Sequence, residues 1–127
     1  MIYKKSWKYI LIRYNYTLYQ LKAVKDFSDI KKGYFGGFVT SYHNLSQSEN
    51  CWIYDNAMVI DKARVSKNAI ISEYAIIKEN AFITGNARVS KNAKVSGNAQ
   101  VYDNAQITDC AIISGNIRIY GNTIRRV

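Results

Sequence analysis

The chain has 127 residues, of which 48% are hydrophobic and 21% are charged, and its formal net charge is +9. This length accommodates one or two small domains, and the positive charge favours anionic partners. One histidine and two cysteines that lie far apart provide no cluster of metal ligands, so the sequence predicts no metal, no cofactor and two free thiols. The apolar run at residues 10–12 is too short for a signal peptide or a membrane span, which favours a cytoplasmic protein without membrane contact.

A leader of residues 1–43 shows no repeat and is rich in aromatic and basic side chains, including Tyr3, Lys4 and Lys5. Its alternating, β-branched and aromatic segments predict three strands. These segments are residues 7–13, residues 16–24 and the residues after Gly36-Gly37, with a turn near Lys31-Lys32-Gly33. We expect the leader to form a small β cap on the structure that follows, because an uncovered sheet edge invites strand addition.

From Asn56 onward, the six-residue unit Asn-Ala-x-Val/Ile-x-x repeats in constant phase. Alanine stands at every sixth position from 57 to 111, and valine or isoleucine at every sixth position from 59 to 119. Residues two apart share a face only in an extended strand, so each unit reads as a short strand with two inward side chains, followed by a corner. A fixed period of this kind predicts a solenoid whose coils must stack to bury their apolar faces.

The corners carry asparagine in most units, preceded at several of them by glycine or aspartate. Asn and Gly tolerate the left-handed backbone that a tight corner requires, so we expect these two-residue corners to turn the chain. Acidic corner residues are interpreted as solubilising, and they include Asp61, Glu73, Glu79, Asp103 and Asp109. The pattern weakens at the far end, where Ile117 and Thr123 replace alanine and Arg125 replaces the aliphatic residue.

This repeat resembles the hexapeptide-repeat family over residues 44–127, with regular coils at 56–121. The resemblance implies an all-β, left-handed parallel β-helix with eighteen residues per triangular coil. The segment from Leu18 to Phe27, with Gly36-Gly37, Asn44-Leu45-Ser46 and Cys51-Trp52, is similar to the leader of hexapeptide-repeat proteins from phages and mobile elements. It implies a protein that acts in the cytoplasm of a bacterial host cell.

Eighteen residues per coil assign the outward side chains to three faces. On the first face an apolar strip predicts self-association into a dimer or trimer. The strip consists of Met58, Ile60, Tyr74, Ile76 and Ile112. Two alternatives remain for this strip: the leader folds back over it, or outward strand positions simply favour branched residues.

The second face interleaves arginines with aromatic rings, a combination that dominates protein-binding hot spots. The predicted partner-binding residues are Arg64, Phe82, Tyr102, Arg118 and Tyr120. The alternative is an ordinary cross-strand ladder that stabilises the sheet.

Many members of the resembled family are acyltransferases that use a histidine base. Here the lone histidine, His43, precedes the regular coils, and no loop interrupts the repeat, so we predict no catalytic residues. The favoured hypothesis is a non-catalytic binding protein. Its partner would be a host protein or a protein–nucleic acid complex, for example a CRISPR effector that it inhibits as an anti-CRISPR. The alternatives are an acyltransferase-like enzyme and a direct nucleic-acid-binding protein.

Overall fold

The computed structural model describes residues 6–127, so Tyr3, Lys4 and Lys5 lie outside the described residues. The leader forms three strands, β1 (Tyr9–Arg13), β2 (Tyr19–Ala23) and β3 (Phe35–Val39), followed by a 3-10 helix at Tyr42–Asn44. Within residues 6–127 no helix is long and apolar enough to cross a membrane. The predicted all-β class is confirmed.

Thirteen strands of two residues each follow at intervals of six residues, beginning with β4. They are β4 (Trp52–Ile53), β5 (Met58–Val59), β6 (Arg64–Val65), β7 (Ile70–Ile71), β8 (Ile76–Ile77), β9 (Phe82–Ile83), β10 (Arg88–Val89), β11 (Lys94–Val95), β12 (Gln100–Val101), β13 (Gln106–Ile107), β14 (Ile112–Ile113), β15 (Arg118–Ile119) and β16 (Ile124–Arg125). Every third strand pairs in parallel, which gives a solenoid of about five turns with three sheets. The first sheet contains β5, β8, β11 and β14, the second β6, β9, β12 and β15, and the third β4, β7, β10, β13 and β16. The predicted parallel β-solenoid is therefore confirmed.

The core is a column of small and branched side chains along the axis. The repeat alanines from Ala57 to Ala111 and the aliphatic residues from Val59 to Ile119 are all at most 3% exposed. Extended geometry explains this, because the alanine and the aliphatic residue of one unit lie two positions apart and point to the same side. Where the pattern weakens, burial is lost, and Ile117 is 43% exposed.

The corners turn where the sequence predicts, and the first of the two corner residues takes the left-handed conformation. The left-handed conformation belongs to the residue before each asparagine position, for example Asp55 with φ 58° and Gly97 with φ 65°. A four-residue β-turn closes each corner from residue 54 to residue 111, as where the Ala57 N–H donates to the Tyr54 carbonyl at 3.2 Å. The asparagine N–H instead donates to the next coil, as from Asn80 to the Gly97 carbonyl at 2.9 Å. The residue at the asparagine position thus completes the turn and also bonds to the next coil through its backbone N–H.

Most of the acidic corner residues also connect coils, so the solubilising interpretation is incomplete. The Asp61 carboxylate accepts from the Glu79 N–H at 3.0 Å, and Glu79 in turn accepts from Gly97 N–H at 2.8 Å. Asp103 accepts from Gly121 N–H at 3.0 Å. Asp109 pairs with Lys91 at 3.2 Å. Each of these acids binds a group eighteen residues away, which is one coil along the stack.

The leader adds its strands to the edge of the first sheet. β1, β2 and β3 are antiparallel neighbours, and β3 pairs in parallel with β5, so the sheet runs β1-β2-β3-β5-β8-β11-β14. The third leader strand includes Gly36 and Gly37 instead of following them. A Cβ at Gly36 would lie 2.7 Å from the Ile53 carbonyl oxygen, and one at Gly37 would lie 2.5 Å from the Ala57 carbonyl oxygen. The two glycines thus let β3 approach the first coil closely.

Asn44 connects the end of the leader to the coil beneath it. This side chain is completely buried. Its Oδ1 accepts from the N–H groups of Thr40 and Ser41 at 2.9 and 3.0 Å. Its Nδ2 donates to the carbonyls of Asp61 and Ala63 at 3.1 and 2.8 Å. One amide thereby satisfies four backbone groups on two segments.

Gln47 and Lys8 complete the junction. The Gln47 amide accepts from the Tyr9 N–H at 3.1 Å and donates to the Tyr9 carbonyl at 3.0 Å, so it covers the free edge of β1 as a neighbouring strand would. Lys8 is 1% exposed. Its ammonium donates to the Cys51 carbonyl at 2.7 Å and lies 3.4 Å from the Cys51 Sγ. Burial lowers the pKa of Lys8 and raises the pKa of the buried Cys51 thiol.

Candidate functional site

The second face brings the predicted partner-binding residues together on one flat sheet. Strand register places Arg64, Phe82, Gln100 and Arg118 in a single row across four strands. The Arg64 guanidinium lies 5.8 Å from the centre of the Phe82 ring. Neighbouring strands are about 4.8 Å apart, so Arg64 and Arg118, three strands apart, are separated by about 14 Å. The row therefore has a cation at each end and a ring between them.

A second row on the same face contains the two tyrosines. Tyr102 and Tyr120 stack with ring centres 5.5 Å apart and an angle of 15° between the ring planes. Tyr120 is 55% exposed. A shallow groove of about 430 Å³ runs beside them and is lined by Lys67, Phe82, Thr84, Gly85, Gln100, Tyr102 and Asp103. The stacked rings are thus held in place while one of them remains largely open to solvent.

The charge of the second face is not neutralised within the described part of the chain. Among residues 6–127 the ion pairs are those of Asp109 with Lys91 and with Arg126. Neither Arg64 nor Arg118 belongs to these pairs, and both lie on strands with exposed outward positions. The nearby Asp103 carboxylate is directed at a backbone N–H of the next coil. Two guanidinium groups therefore face solvent without a carboxylate partner.

The first face contains the predicted self-association strip. Register aligns Met58, Ile76, Lys94 and Ile112 across four strands. Tyr74 at the adjoining corner is 62% exposed and Ile112 is 68% exposed, whereas Met58, Ile60 and Ile76 are half-buried. A groove of about 470 Å³ follows the strip and is lined by Asn56, Met58, Tyr74, Ile76, Asn92, Lys94, Cys110 and Ile112.

The leader extends the first face instead of covering it, so the folded-back alternative is wrong. The row that contains Met58 continues through Phe38 and Gln20 to Ile12, because these residues are paired partners in adjacent strands. This continuation was missed from the sequence, since the leader has no six-residue phase. Side chains alternate between the two faces along a strand. This alternation was the signal that would have assigned Gln20, Lys22 and Phe38 to the outward face.

The third face is partly occupied by a leader loop. The Tyr54 hydroxyl donates to the Asp29 carboxylate at 2.8 Å. Burial, reinforced by this hydrogen bond to Asp29, raises the pKa of Tyr54 to about 12. Trp52 on the same face is 1% exposed, and Phe27 packs against its ring at 5.3 Å. The aromatic residues of the third face thus anchor the leader, which leaves the first two faces as the candidate surfaces.

The remaining reactive side chains do not converge. His43 is exposed in the 3-10 helix, and its Nε2 lies 3.2 Å from the Lys62 carbonyl, which can only accept a hydrogen bond. Cys51 is buried and Cys110 is exposed, and both are free thiols. Within residues 6–127 no group of three or more His, Cys, Asp or Glu side chains is arranged to hold a metal ion.

Comparison with known proteins gives no match, either to a protein-family model or to a curated protein. The structure identifies the chain as a parallel β-solenoid with an antiparallel leader.

Proposed function

We propose that this protein is a non-catalytic binding module that presents its second face to a macromolecular partner. The row from Arg64 to Arg118, beside the stacked pair of Tyr102 and Tyr120, carries the proposal. Arginine and tyrosine are enriched among residues that contribute most to protein–protein affinity. A rigid sheet holds these side chains in place before binding, which reduces the entropy lost on association.

The charge of the second face indicates the kind of partner. Two unpaired guanidinium groups about 14 Å apart suit an acidic protein surface, because complementary charge steers encounter and fixes orientation. The Phe82 ring lies between them, and the exposed Tyr120 ring adds apolar area beside Arg118. The partner surface we propose is therefore acidic and contains an apolar or aromatic patch.

The resemblance of the leader to phage and mobile-element proteins gives the proposal a biological setting. In that setting the partner is a host protein in the bacterial cytoplasm, and a defence complex such as a CRISPR effector is the specific candidate. The acyltransferase alternative would require His43 as a base. Turnover of acetyl-CoA that is lost in His43→Ala would contradict a purely binding role.

Affinity capture from a host lysate tests the second face. The full chain, the double variant Arg64→Ala/Arg118→Ala and the control Arg88→Ala are used as baits, each with and without nuclease. Arg88 is an exposed strand arginine of the third face, so it controls for loss of charge. We expect wild type and Arg88→Ala to retain the same protein. The double variant should lose it, since each truncated hot-spot residue costs about 2 kcal/mol. Retention by all three baits would contradict the proposal.

The first face is proposed as a self-association surface that forms a dimer or trimer. Ile76 lies in the middle of the strip, between Met58 and Lys94, so Ile76→Lys places a charge in the predicted contact. Mass in solution should fall to that of the monomer in this variant. A wild type that is already monomeric, or an unchanged mass in Ile76→Lys, would contradict self-association through this strip.

A further inference from the structure

The outer face of the leader sheet carries exposed rings at its free end. Tyr14 is 60% exposed and packs against Phe38 with ring centres 4.6 Å apart. Phe35 is 56% exposed, and the Lys22 ammonium lies 5.6 Å from the centre of its ring. Tyr16, in the turn between β1 and β2, is fully exposed. We call Tyr14, Tyr16, Lys22, Phe35 and Phe38 the leader platform.

The charge around the leader platform has one sign. The described residues before Asp26 contain no acid, and their solvent-accessible cations are Arg13, Lys22 and Lys25, since Lys8 is buried. The first two acids of the chain point elsewhere: Asp26 accepts from the Lys32 N–H at 2.8 Å, and Asp29 accepts from Tyr54 on the third face. Arg13, at the end of β1, donates to the Tyr16 carbonyl and the Tyr19 hydroxyl, and neither is an acid. Lys22, the cation of the leader platform, therefore forms no ion pair within the described residues.

We propose that the leader platform binds single-stranded nucleic acid. Bases stack on exposed aromatic rings, while lysine and arginine bind the phosphates, and this combination serves single strands on flat sheets and grooves. The rings of Phe35 and Phe38 lie on the outer face of the sheet, and Lys22, the paired partner of Phe35, lies beside them. Arg13 pairs with Tyr19 and lies on the opposite face of the sheet, at the turn end. The inference goes beyond the proposed function, which assigns a protein partner to the second face and self-association to the strip around Ile76. The leader platform adjoins that strip, because Phe38 pairs with Met58.

Charge argues against a second copy of this chain as the occupant. Two copies that met through their leader platforms would bring Lys22 of both chains together, and like charges without counterions oppose contact. A duplex is also a poorer fit, because its bases are already stacked and offer no free ring face. An acidic peptide would satisfy the cations and leave the rings without stacking partners.

Fluorescence anisotropy with a short labelled oligo(dT) and the full chain tests the proposal. The test variant is Phe35→Ser/Lys22→Gln, and the control is Tyr120→Ser/Arg118→Gln on the second face. The control removes one ring of matching exposure, 55% against 56%, and one cation. We expect the test variant to bind at least about tenfold more weakly. Its dependence on salt should also be shallower, by about 0.7 in logarithmic slope for the lost phosphate contact. The control should bind as wild type does.

Four outcomes would overturn the proposal. The first two are no binding of oligo(dT) at low salt and an equal loss of affinity in the control variant. The other two are equal affinity for a duplex of the same length, and displacement of the labelled oligo(dT) by poly-glutamate as effectively as by unlabelled oligo(dT). A wild-type dimer that Phe35→Ser converts to a monomer would assign the surface to a second copy instead. If thermal melting shows that the double variant is unfolded, Tyr16→Ser and Lys22→Gln are measured singly, because Tyr16 contributes nothing to the buried core. These results do not depend on the second-face capture experiment.

Discussion

The coils and the leader are held together by different kinds of interaction. Each coil repeats the same few contacts, namely inward alanine and aliphatic side chains, backbone hydrogen bonds to the next coil, and a closed corner. The leader depends instead on a few side chains that are each used once, above all Asn44, Gln47 and Lys8. Repetition distributes stability along the stack. A single substitution should therefore lower the free energy of unfolding more at the junction between leader and coils than within the coils.

The largest effect is expected for Asn44→Asp. An ionised carboxylate has no hydrogen to donate, so the carbonyls of Asp61 and Ala63 lose their donor and face a negative charge in a buried site. We expect the free energy of unfolding to fall by about 3 kcal/mol. Denaturant unfolding followed by circular dichroism measures the loss.

Asn98→Asp is the matched control, because Asn98 occupies the same position of the repeat in a later coil. Its side chain is exposed and donates to Asn116 at 3.2 Å. A surface substitution of this kind costs less than about 0.5 kcal/mol. Equal losses in Asn44→Asp and Asn98→Asp would mean that the junction is no more sensitive than a coil corner.

Gly37→Ala is the next largest change. The added methyl would lie 2.5 Å from both the Ala57 carbonyl oxygen and the Ile53 Cγ2. Since these contacts involve a backbone atom, β3 must move away from β5. We expect a loss of about 2 kcal/mol in unfolding free energy, the range measured for overpacked sites.

Gly115→Asp provides the corresponding test in the coils. Gly115 has φ 71°, and an added Cβ would meet nothing within 4 Å. Aspartate already holds this conformation at Asp55, Asp61 and Asp103. The substitution should therefore cost about 1 kcal/mol or less. A greater loss here than in Gly37→Ala would show that corner conformation, rather than close approach of the leader, limits stability.

The buried ammonium of Lys8 makes the junction sensitive to alkaline pH. Burial lowers the pKa of Lys8 below its ordinary value of 10.5, although the nearby Cys51 and Glu49 act in the opposite direction. Between the folded-state pKa and 10.5 the unfolded chain binds more protons, so this lysine makes stability rise with pH. Wild type should gain stability relative to Lys8→Met over that window, by at most about 1.4 kcal/mol per pH unit.

Urea unfolding of wild type and Lys8→Met at a series of pH values measures this difference. Subtracting the two free energies of unfolding at each pH removes the contributions of groups that titrate alike in both proteins. Lys25→Met replaces an exposed lysine of the same segment and serves as the control. If stability relative to wild type changes with pH in the same way in Lys8→Met and Lys25→Met, net charge, rather than the buried ammonium of Lys8, is responsible for the pH dependence.

The coils could be predicted almost residue by residue because one local rule repeats. The positions of Ala57 and Val59 within a unit determine which side chains point inward, and the eighteen-residue coil then determines which strands pair. Arg64, Phe82 and Arg118 were assigned to one face in this way, and the register places them in one row. The two-residue corners were predicted as well, but the sequence does not distinguish which of the two residues is left-handed, because Asn and Gly both tolerate that conformation. The structure assigns it to the first residue, where Asp, Lys and Glu adopt it as well as Gly.

The leader resisted prediction because its contacts join residues that are far apart in sequence. Lys8 meets Cys51 and Gln47 meets Tyr9, separations of 43 and 38 residues. No period or spacing indicates such pairs. A buried lysine is also contrary to the usual preference of that residue, and only the carbonyls around it account for its place. Gly36 and Gly37 were interpreted as a break before a strand, whereas close approach to the first coil requires them within it.

The smallest expected effect concerns the hydroxyl pair of Ser66 and Thr84 on the second face. Their oxygens lie 2.8 Å apart in neighbouring coils and are only partly buried, so water can replace either partner. A double-mutant cycle with Ser66→Ala and Thr84→Val should give a coupling free energy of about 0.5 kcal/mol. Such a value would agree with coils that are stabilised by many small contacts. A coupling above about 2 kcal/mol would mean that individual side-chain pairs also control the coils, and the distinction between the coils and the leader would then be wrong.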